Sequence, residues 1–467
     1  MSTTPSRVTD VQGPNGAAAA GRLASLLRDP LAGYLSMSAA YGDAIRVPIS
    51  RTASLFILSR PEHAEHVLAA NQENYVKAFT YRPLRALIGN GLLTSEGEDW
   101  RRHRRIVQPM FSRRDVRAFG PAMTGAITRM LTQWDGVPDG ARIDVAARMS
   151  ALALDVVGRA LFSADLTGDA AQLGRAMAAG QKIAMLAMLA PLSWGPRQTR
   201  ALKAVARRAG RTEGIDAPVG RLIAERHRDP DPAAGRGDLL DALMTARAED
   251  GTPLSDAEIA DELATFMLAG HETSAVALSW ALALLSAYPA ARDQLEAEAD
   301  AVLGGRAPEA ADADRLPWTT AVVAETMRLY PPAWTIERDA VRDDDVAGVA
   351  VPAGSTVAVP PYLVHRHPEF WPDPAGFDPA RFLPDGADGG RGAGDRRAGD
   401  RPRYSYIPFG GGKRACVGQS FAELETVLAL AAIASRFRLE LTPAGIPKPT
   451  AAVTLRPGRL PMRLLRR

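Results

Sequence analysis

A chain of 467 residues with 46% hydrophobic and 23% charged side chains is long enough for one large core or a few small ones, and too apolar to be disordered. Lys and Arg total 56 against 53 Asp and Glu, a net charge of +3, which excludes nucleic-acid binding by bulk attraction. One cysteine excludes an intramolecular disulfide, so the chain needs no oxidising compartment.

The N-terminal stretch 1–21 is rich in Ser, Thr, Gly and Ala and has no basic start followed by an apolar core. It reads as a flexible tail, not a secretory signal. Residues 22–467 read as a single domain, with no linker between two cores and no internal repeat. Strand-like runs are expected at Ala44–Val47 and Ser54–Leu58, then a helix at Pro61–Asn71. In Trp100-Arg-Arg-His-Arg104 the first and last residues are four apart and share a helix face. Read alone, this is a solvated basic helix. Apolar residues at three- and four-residue spacing predict helices at Asp115–Trp134 and Asp144–Ser163. Met177–Trp194 is rich in Met and Leu.

The longest helix is expected at Ser255–Tyr288. Ser255 and Glu258 form an S-x-x-E capping box, with Pro253 just upstream. At ~1.5 Å per residue the helix would run roughly 50 Å and cross the middle of the protein. Thr273–Ala291 has no charged residue and approaches the ~20 residues that span a bilayer. It contains Ser274, Ser279, Ser286 and Pro289, and His271 and Glu272 abut it. A buried helix in a soluble core explains it better, so no stable membrane insertion and a cytoplasmic location are expected. Midway lies Ala269-Gly270-His271-Glu272-Thr273. Glycine in a helix interior costs roughly 1 kcal/mol against alanine, and Thr can back-bond to a carbonyl. The patch is either a small-residue helix crossing or a site.

Downstream, Pro317–Tyr330 is helical, and Glu325 and Arg328 within it can pair on one face. Val322, Val323, Met327 and Leu329 make that helix largely buried, so a charge pair there needs a reason. A strand is expected at Thr356–Val359. Residues 385–400, rich in Gly and mixed charge, read as a flexible surface loop. Then comes Tyr406-Ile-Pro-Phe-Gly-Gly-Gly-Lys-Arg-Ala-Cys-Val-Gly418, a helix at Gln419–Phe437, and strands at Arg438–Leu441 and Met462–Leu465. A lone cysteine is either an inert hydrophobe or a chemical centre. Here three glycines allow close approach to a flat ligand, Arg414 adds positive charge, and the next helix's N-terminus favours a thiolate. The setting selects the chemical centre.

Phe409-x-x-Gly412-x-Arg414-x-Cys416-x-Gly418 resembles the haem-binding loop of the cytochrome P-450 family, and the resemblance spans roughly Tyr41 to the C-terminus. It implies a mainly α fold with a small β region, a long central helix over a b-type haem (haem b, iron protoporphyrin IX), and Cys416 as axial ligand of the iron. By the same resemblance Trp100, Arg104 and Arg338 meet the haem propionates, together with Arg414, while Phe409 and Gly418 belong to the cofactor loop. Glu325, Arg328 and Arg381 form a structural charge cluster around that loop. Gly270 makes a groove for dioxygen, Thr273 holds dioxygen and a water, and Glu272 relays protons. The pocket would be walled by Phe79, Leu87, Ile88, Met267, Ala269, Trp334 and Val453, with Met177–Trp194 as a ceiling.

The implied function is a monooxygenase that inserts one oxygen atom of O2 into a hydrophobic small molecule, a terpenoid or other secondary metabolite ahead of a fatty acid. Electrons would come from a ferredoxin or flavodoxin with its NAD(P)H-dependent reductase. Arg101, Arg102, Arg105 and Lys413 are a candidate docking patch. A monomer is expected. A peroxide-driven peroxygenase or isomerase, and a haem sensor or carrier, are the competing readings; the Glu272–Thr273 pair disfavours both.

Overall fold

The computed structural model describes residues 11–49, 53–169, 215–228, 236–247, 251–383, 401–442 and 445–467. The expected ceiling Met177–Trp194 and the loop 385–400 lie outside the described residues, as does 1–10 of the expected tail. The chain divides into two compact units. One contains Met1–Thr80 and Glu325–Cys416, and the other Tyr81–Ala324 and Val417–Arg467.

In chain order the helices are α1 (Gly16–Arg28), α2 (Pro30–Tyr41), α3 (Pro61–Glu65), α4 (Arg82–Ile88), α5 (Gly97–Val107), α6 (Arg113–Val116), α7 (Gly120–Asp135) and α8 (Val145–Phe162). They continue with α9 (Asp216–Arg228), α10 (Leu239–Thr245), α11 (Asp256–Ala287), α12 (Pro289–Leu303), α13 (Pro317–Leu329), α14 (Pro361–Val364) and α15 (Gln419–Ala434). The strands are β1 (Ala44–Pro48), β2 (Ser54–Leu58), β3 (Tyr75–Lys77), β4 (Arg142–Asp144), β5 (Ile336–Ala340) and β6 (Asp344–Val346). After them come β7 (Val349–Val351), β8 (Thr356–Val359), β9 (Phe437–Leu441), β10 (Thr450–Ala451), β11 (Leu455–Arg456) and β12 (Pro461–Arg466).

The first unit is built on a five-stranded sheet of order β1-β2-β8-β5-β3. β1 and β2 form an antiparallel hairpin, and β2 then pairs in parallel with β8, Leu55 opposite Thr356. Phe56, Leu58, Val357, Val359 and Val364 anchor its core with Tyr404 and Ile407, which lead into the cysteine loop. Residues 61–71 were expected to be one helix. The chain instead leaves α3 through a π-helical turn at His66–Ala70. α1 starts at Gly16, inside the stretch expected to be a tail.

The second unit is helical around α11. Ser255 caps it, its hydroxyl accepting from Glu258 N–H while the Glu258 carboxylate accepts from Ser255 N–H. Each bond satisfies an N–H that helix geometry leaves orphaned. From Leu263 to Leu268, and again from Ser274 to Leu285, every side chain is buried, because α11 touches α4, α8, α9, α10, α12, α15 and β9. A helix apolar all round belongs in a core. Among the described helices it is the one long and apolar enough to cross a membrane, and most of its apolar window is buried within the protein. Two expected helices differ. Asp115–Trp134 is broken before α7, where a Cβ on Gly120 would come within 2.7 Å of Ala310. The last helix stops at Ala434, and Phe437 already begins β9.

Candidate active site

In the first unit, Cys416 is exposed at the end of a pinned loop. His365, fully buried, accepts the Ile407 N–H at Nε2 (2.8 Å). Burial and the nearby Arg328 and Arg366 cations keep that ring neutral, its pKa lowered to about 3. Phe409 O accepts the Cys416 N–H at 2.9 Å, which closes the loop on itself. Gly412 has φ +65°, and a Cβ there would sit 1.9 Å from Leu68 O in the π-helical turn. No other residue fits that position. The Lys413 N–H donates to Gln72 Oε1 at 2.9 Å, a second tie to the same segment. Phe409 and Arg414 are half-buried, as is Gly418 beyond the cysteine. In sequence Cys416 stands three residues ahead of the first residue of α15.

Glu325, Arg328 and Arg381 come together beneath this loop's support. Arg328 donates through Nε to Glu325 Oε2 (2.6 Å) and through Nη2 to Oε1 (2.8 Å). Its remaining N–H groups bind the carbonyls of His365, Pro374 and Gly376 at 3.0, 2.8 and 2.7 Å. Arg381 Nε lies 3.4 Å from Glu325 Oε1, and the Asp378 N–H donates to the same oxygen. Both members of the central pair are fully buried. Trp371 stacks under the Arg328 guanidinium at 5.2 Å and donates from Nε1 to Ser405 O, just before the cysteine loop. Arg338 sits on β5 opposite Val357 and Lys77, almost buried, with Nη1 donating to Glu337 O. Phe79 is half-buried, and buried Trp334 packs 5.9 Å from the Tyr34 ring.

In the second unit, Gly270, Glu272 and Thr273 follow one another on α11. Thr273 donates from Oγ1 to Ala269 O at 2.7 Å, so its lone pairs remain for an incoming donor. A Cβ on Gly270 would lie 2.9 Å from Val157 Cγ2, so this glycine lets α8 pack against α11. The expected dioxygen groove is therefore joined by a packing demand. His271 donates or accepts at Ser150 Oγ (2.7 Å), and burial holds its pKa down at about 4. Glu272 is not an open acid. Its Oε1 accepts from Thr454 Oγ1 and from Arg456, whose Nε is 2.7 Å away.

Trp100 and Arg104 are half-buried on α5, and Arg104 donates from Nε to Gln108 Oε1 (3.0 Å). Leu87, Ile88 and Met267 are buried where α4 meets α11, and Ala269 is half-buried. A Cβ on Gly91 would collide with Thr265 Oγ1 and Asp261 O, which shows how closely α4's exit hugs the helix. Val453 is 38% exposed at the tip of the β10–β11 hairpin. The expected docking cations are partly neutralised: Arg101 pairs with Glu98, Arg102 with Glu258 and Lys413 with Glu73. Arg105, Arg113 and Arg114 are exposed.

Two residues were missed by the sequence reading. Arg456 is the first. The second is Glu425 on α15, fully buried, whose Oε2 accepts the Ser274 hydroxyl at 2.6 Å. Desolvation raises its pKa to about 8, so it is protonated at neutral pH. An acid flanked by Phe421, Leu428 and Ala429 one turn away was the available signal.

Comparison with known proteins agrees with this architecture. The family profile described as Cytochrome P450 matches residues 13–460. Cytochrome P450 132 of Mycobacterium bovis is 37% identical over 86% of this chain and 85% of its own length. Cyclooctatin synthase of Streptomyces melanosporofaciens is 35% identical over 96% and 94%. Pentalenene oxygenase of Streptomyces avermitilis is 34% identical over 97% of each chain. The crystal structure of the cytochrome P450DA heme domain superposes with a TM-score of 0.82 at 25% identity, over 98% of both chains. With a profile and relatives that span nearly its full length, the chain belongs to the cytochrome P450 family of haem-thiolate monooxygenases.

Proposed function

We propose that this monooxygenase carries haem b on Cys416 and oxidises an apolar terpenoid or similar secondary metabolite, with electrons from a separate ferredoxin or flavodoxin and its NAD(P)H-dependent reductase. The donor set fits the cofactor: the chain's one thiol is exposed, at the end of a loop that only glycine at position 412 allows, immediately before a helix N-terminus. Bound there, a thiolate-ligated haem supplies the oxygen-activating iron. Trp100, Arg104, Arg338 and Arg414 are the residues assigned to its propionates.

Thr273 orients a water through its free lone pairs, because its own proton is committed to Ala269 O. Glu272 takes a proton from solvent and passes it along that water to the reacting site. Buried Leu87, Ile88 and Met267 on the second unit's apolar side exclude bulk water. The exposed cations Arg105, Arg113 and Arg114 favour an acidic electron donor. The buried state of α11 supports a cytoplasmic protein, read as a monomer.

The observation that carries the substrate class is the pair of full-length relatives named for cyclooctatin and pentalenene. The test is a haem spin-state titration with terpenes, fatty acids and steroids, followed by mass analysis of turnover products. A terpene that shifts the spin state and gains one oxygen supports the proposal. A shift confined to fatty acids or steroids overturns the substrate class. Loss of the thiolate signature in the reduced carbonyl spectrum of Cys416→Ser checks the ligand; its retention overturns the assignment.

A further inference from the structure

A carboxylate meant to pass protons should face water or its acceptor. Glu272 does neither at rest. It is almost wholly buried, and Thr454 and Arg456 both bind its Oε1. These partners stand 182 and 184 residues downstream, on the short β10–β11 hairpin. Both donors are spent on that one oxygen, so Oε1 is committed as an acceptor. To deliver a proton it must first leave these donors.

The hairpin is built to let that happen. Leu455 is fully buried, and its carbonyl accepts the Trp280 indole N–H at 2.7 Å, two turns further along α11 from Glu272. That tie is neutral and lies in the core. On either side of it, Thr454 and Arg456 reach for Glu272, and the Arg456 side chain keeps 31% of its surface in solvent. The turn itself is tight, with the Ala452 N–H donating to Thr454 O at 3.0 Å. Val453 projects from the tip, 38% exposed, where the substrate wall is expected. The tip can therefore tilt about Leu455 and carry Thr454 with it. The neighbouring side chains on α11 and α15 are engaged elsewhere: His271 with Ser150, and Glu425 with Ser274.

We propose that the β10–β11 hairpin is a substrate-operated latch on the proton-relay acid: Arg456 and Thr454 hold Glu272 by Oε1 until a substrate presses on Val453 and frees the carboxylate toward Thr273. This rests on the reading of Glu272 and Thr273 as the relay. Released, the carboxylate gains a proton from solvent water and gives it up to the water on Thr273; Arg456 exchanges no proton in this step and is a positioning residue. The latch keeps protons from reaching the site before there is a substrate to oxidise, which limits wasteful consumption of reductant.

The experiment compares holoenzyme variants with and without substrate. Arg456→Gln should raise NAD(P)H consumption in the absence of substrate several-fold, with the surplus recovered as peroxide or water. Arg456→Lys should restore the low rate. Val453→Trp, which loads the tip and leaves the ion pair's residues intact, should reproduce the rise. A readout independent of turnover is the infrared carboxylate band of Glu272, identified by subtracting the Arg456→Gln/Glu272→Gln double variant: Arg456→Gln should shift its frequency, because the carboxylate loses its guanidinium partner. If Arg456→Gln and Val453→Trp both keep the wild-type substrate-free rate while Glu272→Gln impairs coupling, the latch is wrong and the relay stands. If Glu272→Gln leaves coupling and the solvent isotope effect unchanged, the relay reading itself falls.

Discussion

Glu325 and Glu425 are both fully buried carboxyl groups on helices, and their surroundings are opposite. Glu325, in the first unit, faces two guanidinium groups and a backbone N–H, and both its oxygens are bound. Glu425, in the second unit, receives one hydroxyl at Oε2, and its Oε1 has no partner among the described residues. The first arrangement occupies both oxygens and ties the carboxylate to segments that support the cysteine loop. The second keeps the acid neutral and leaves it able to exchange a proton. Burial alone therefore does not tell a structural acid from a reactive one; the count of its donors does.

The sharpest way to break this contrast is Glu325→Ala. It strands Arg328 without its counter-charge, and losing one member of a buried pair costs about 3–5 kcal/mol. Denaturant unfolding, or the yield of soluble protein where the variant is too unstable to assay, should show it. A midpoint like the wild type's would mean the cluster is dispensable.

Glu425→Gln comes next. The folded-state pKa of Glu425, about 8, lies above the ordinary 4.5, so the folded protein holds a proton there that the unfolded chain has released. Stability should fall as pH rises from about 4.5 to about 8, by a few kcal/mol at ~1.4 kcal/mol per unit. The glutamine variant should lose that slope and exceed the wild type at alkaline pH. Denaturant midpoints at pH 6 and pH 9 decide it. His365 gives the mirror image in the first unit. Its folded pKa of about 3 lies below the ordinary 6.5, so stability should drop as pH falls through that window. His365→Gln should flatten the acid limb of the unfolding profile.

The smallest effect on stability belongs to Thr273→Ala. It removes one back-bond to Ala269 O, worth about 0.5–1.5 kcal/mol at most, since such bonds compete with the helix ladder. Its effect on chemistry should be larger: less product per NAD(P)H and more peroxide. A variant with wild-type coupling would remove Thr273 from the relay.

Much of this was legible in the sequence, for local reasons. The capping box at Ser255 and Glu258 announced α11, and the Glu325–Arg328 spacing within an apolar helix announced a buried pair. β2 and β8 showed as short apolar runs. What was missed depended on distant chain. β5 reads as the charged run IERDA and becomes a strand because β8 and β3 flank it. β10 and β11 are two residues each, too short for any periodicity. The engagement of Glu272 by Arg456 is not within reach of a local pattern, whereas the helix start at α7 carries a local mark, Pro121 in its first turn.

The first unit is assembled from two stretches of chain, with residues 81–324 between them. On the ribosome, β2 must therefore wait for β8. About 300 residues separate Leu58 from Val359, so at 5–20 residues per second that delay is roughly 15–60 s. Throughout it the β1–β2 hairpin presents an unpaired edge bearing Phe56 and Leu58, while residues 81–324 emerge. The interval is the aggregation-prone moment in this protein's biosynthesis. Slower growth or added holdase capacity during expression should raise soluble yield more than any substitution at the surface of the finished fold.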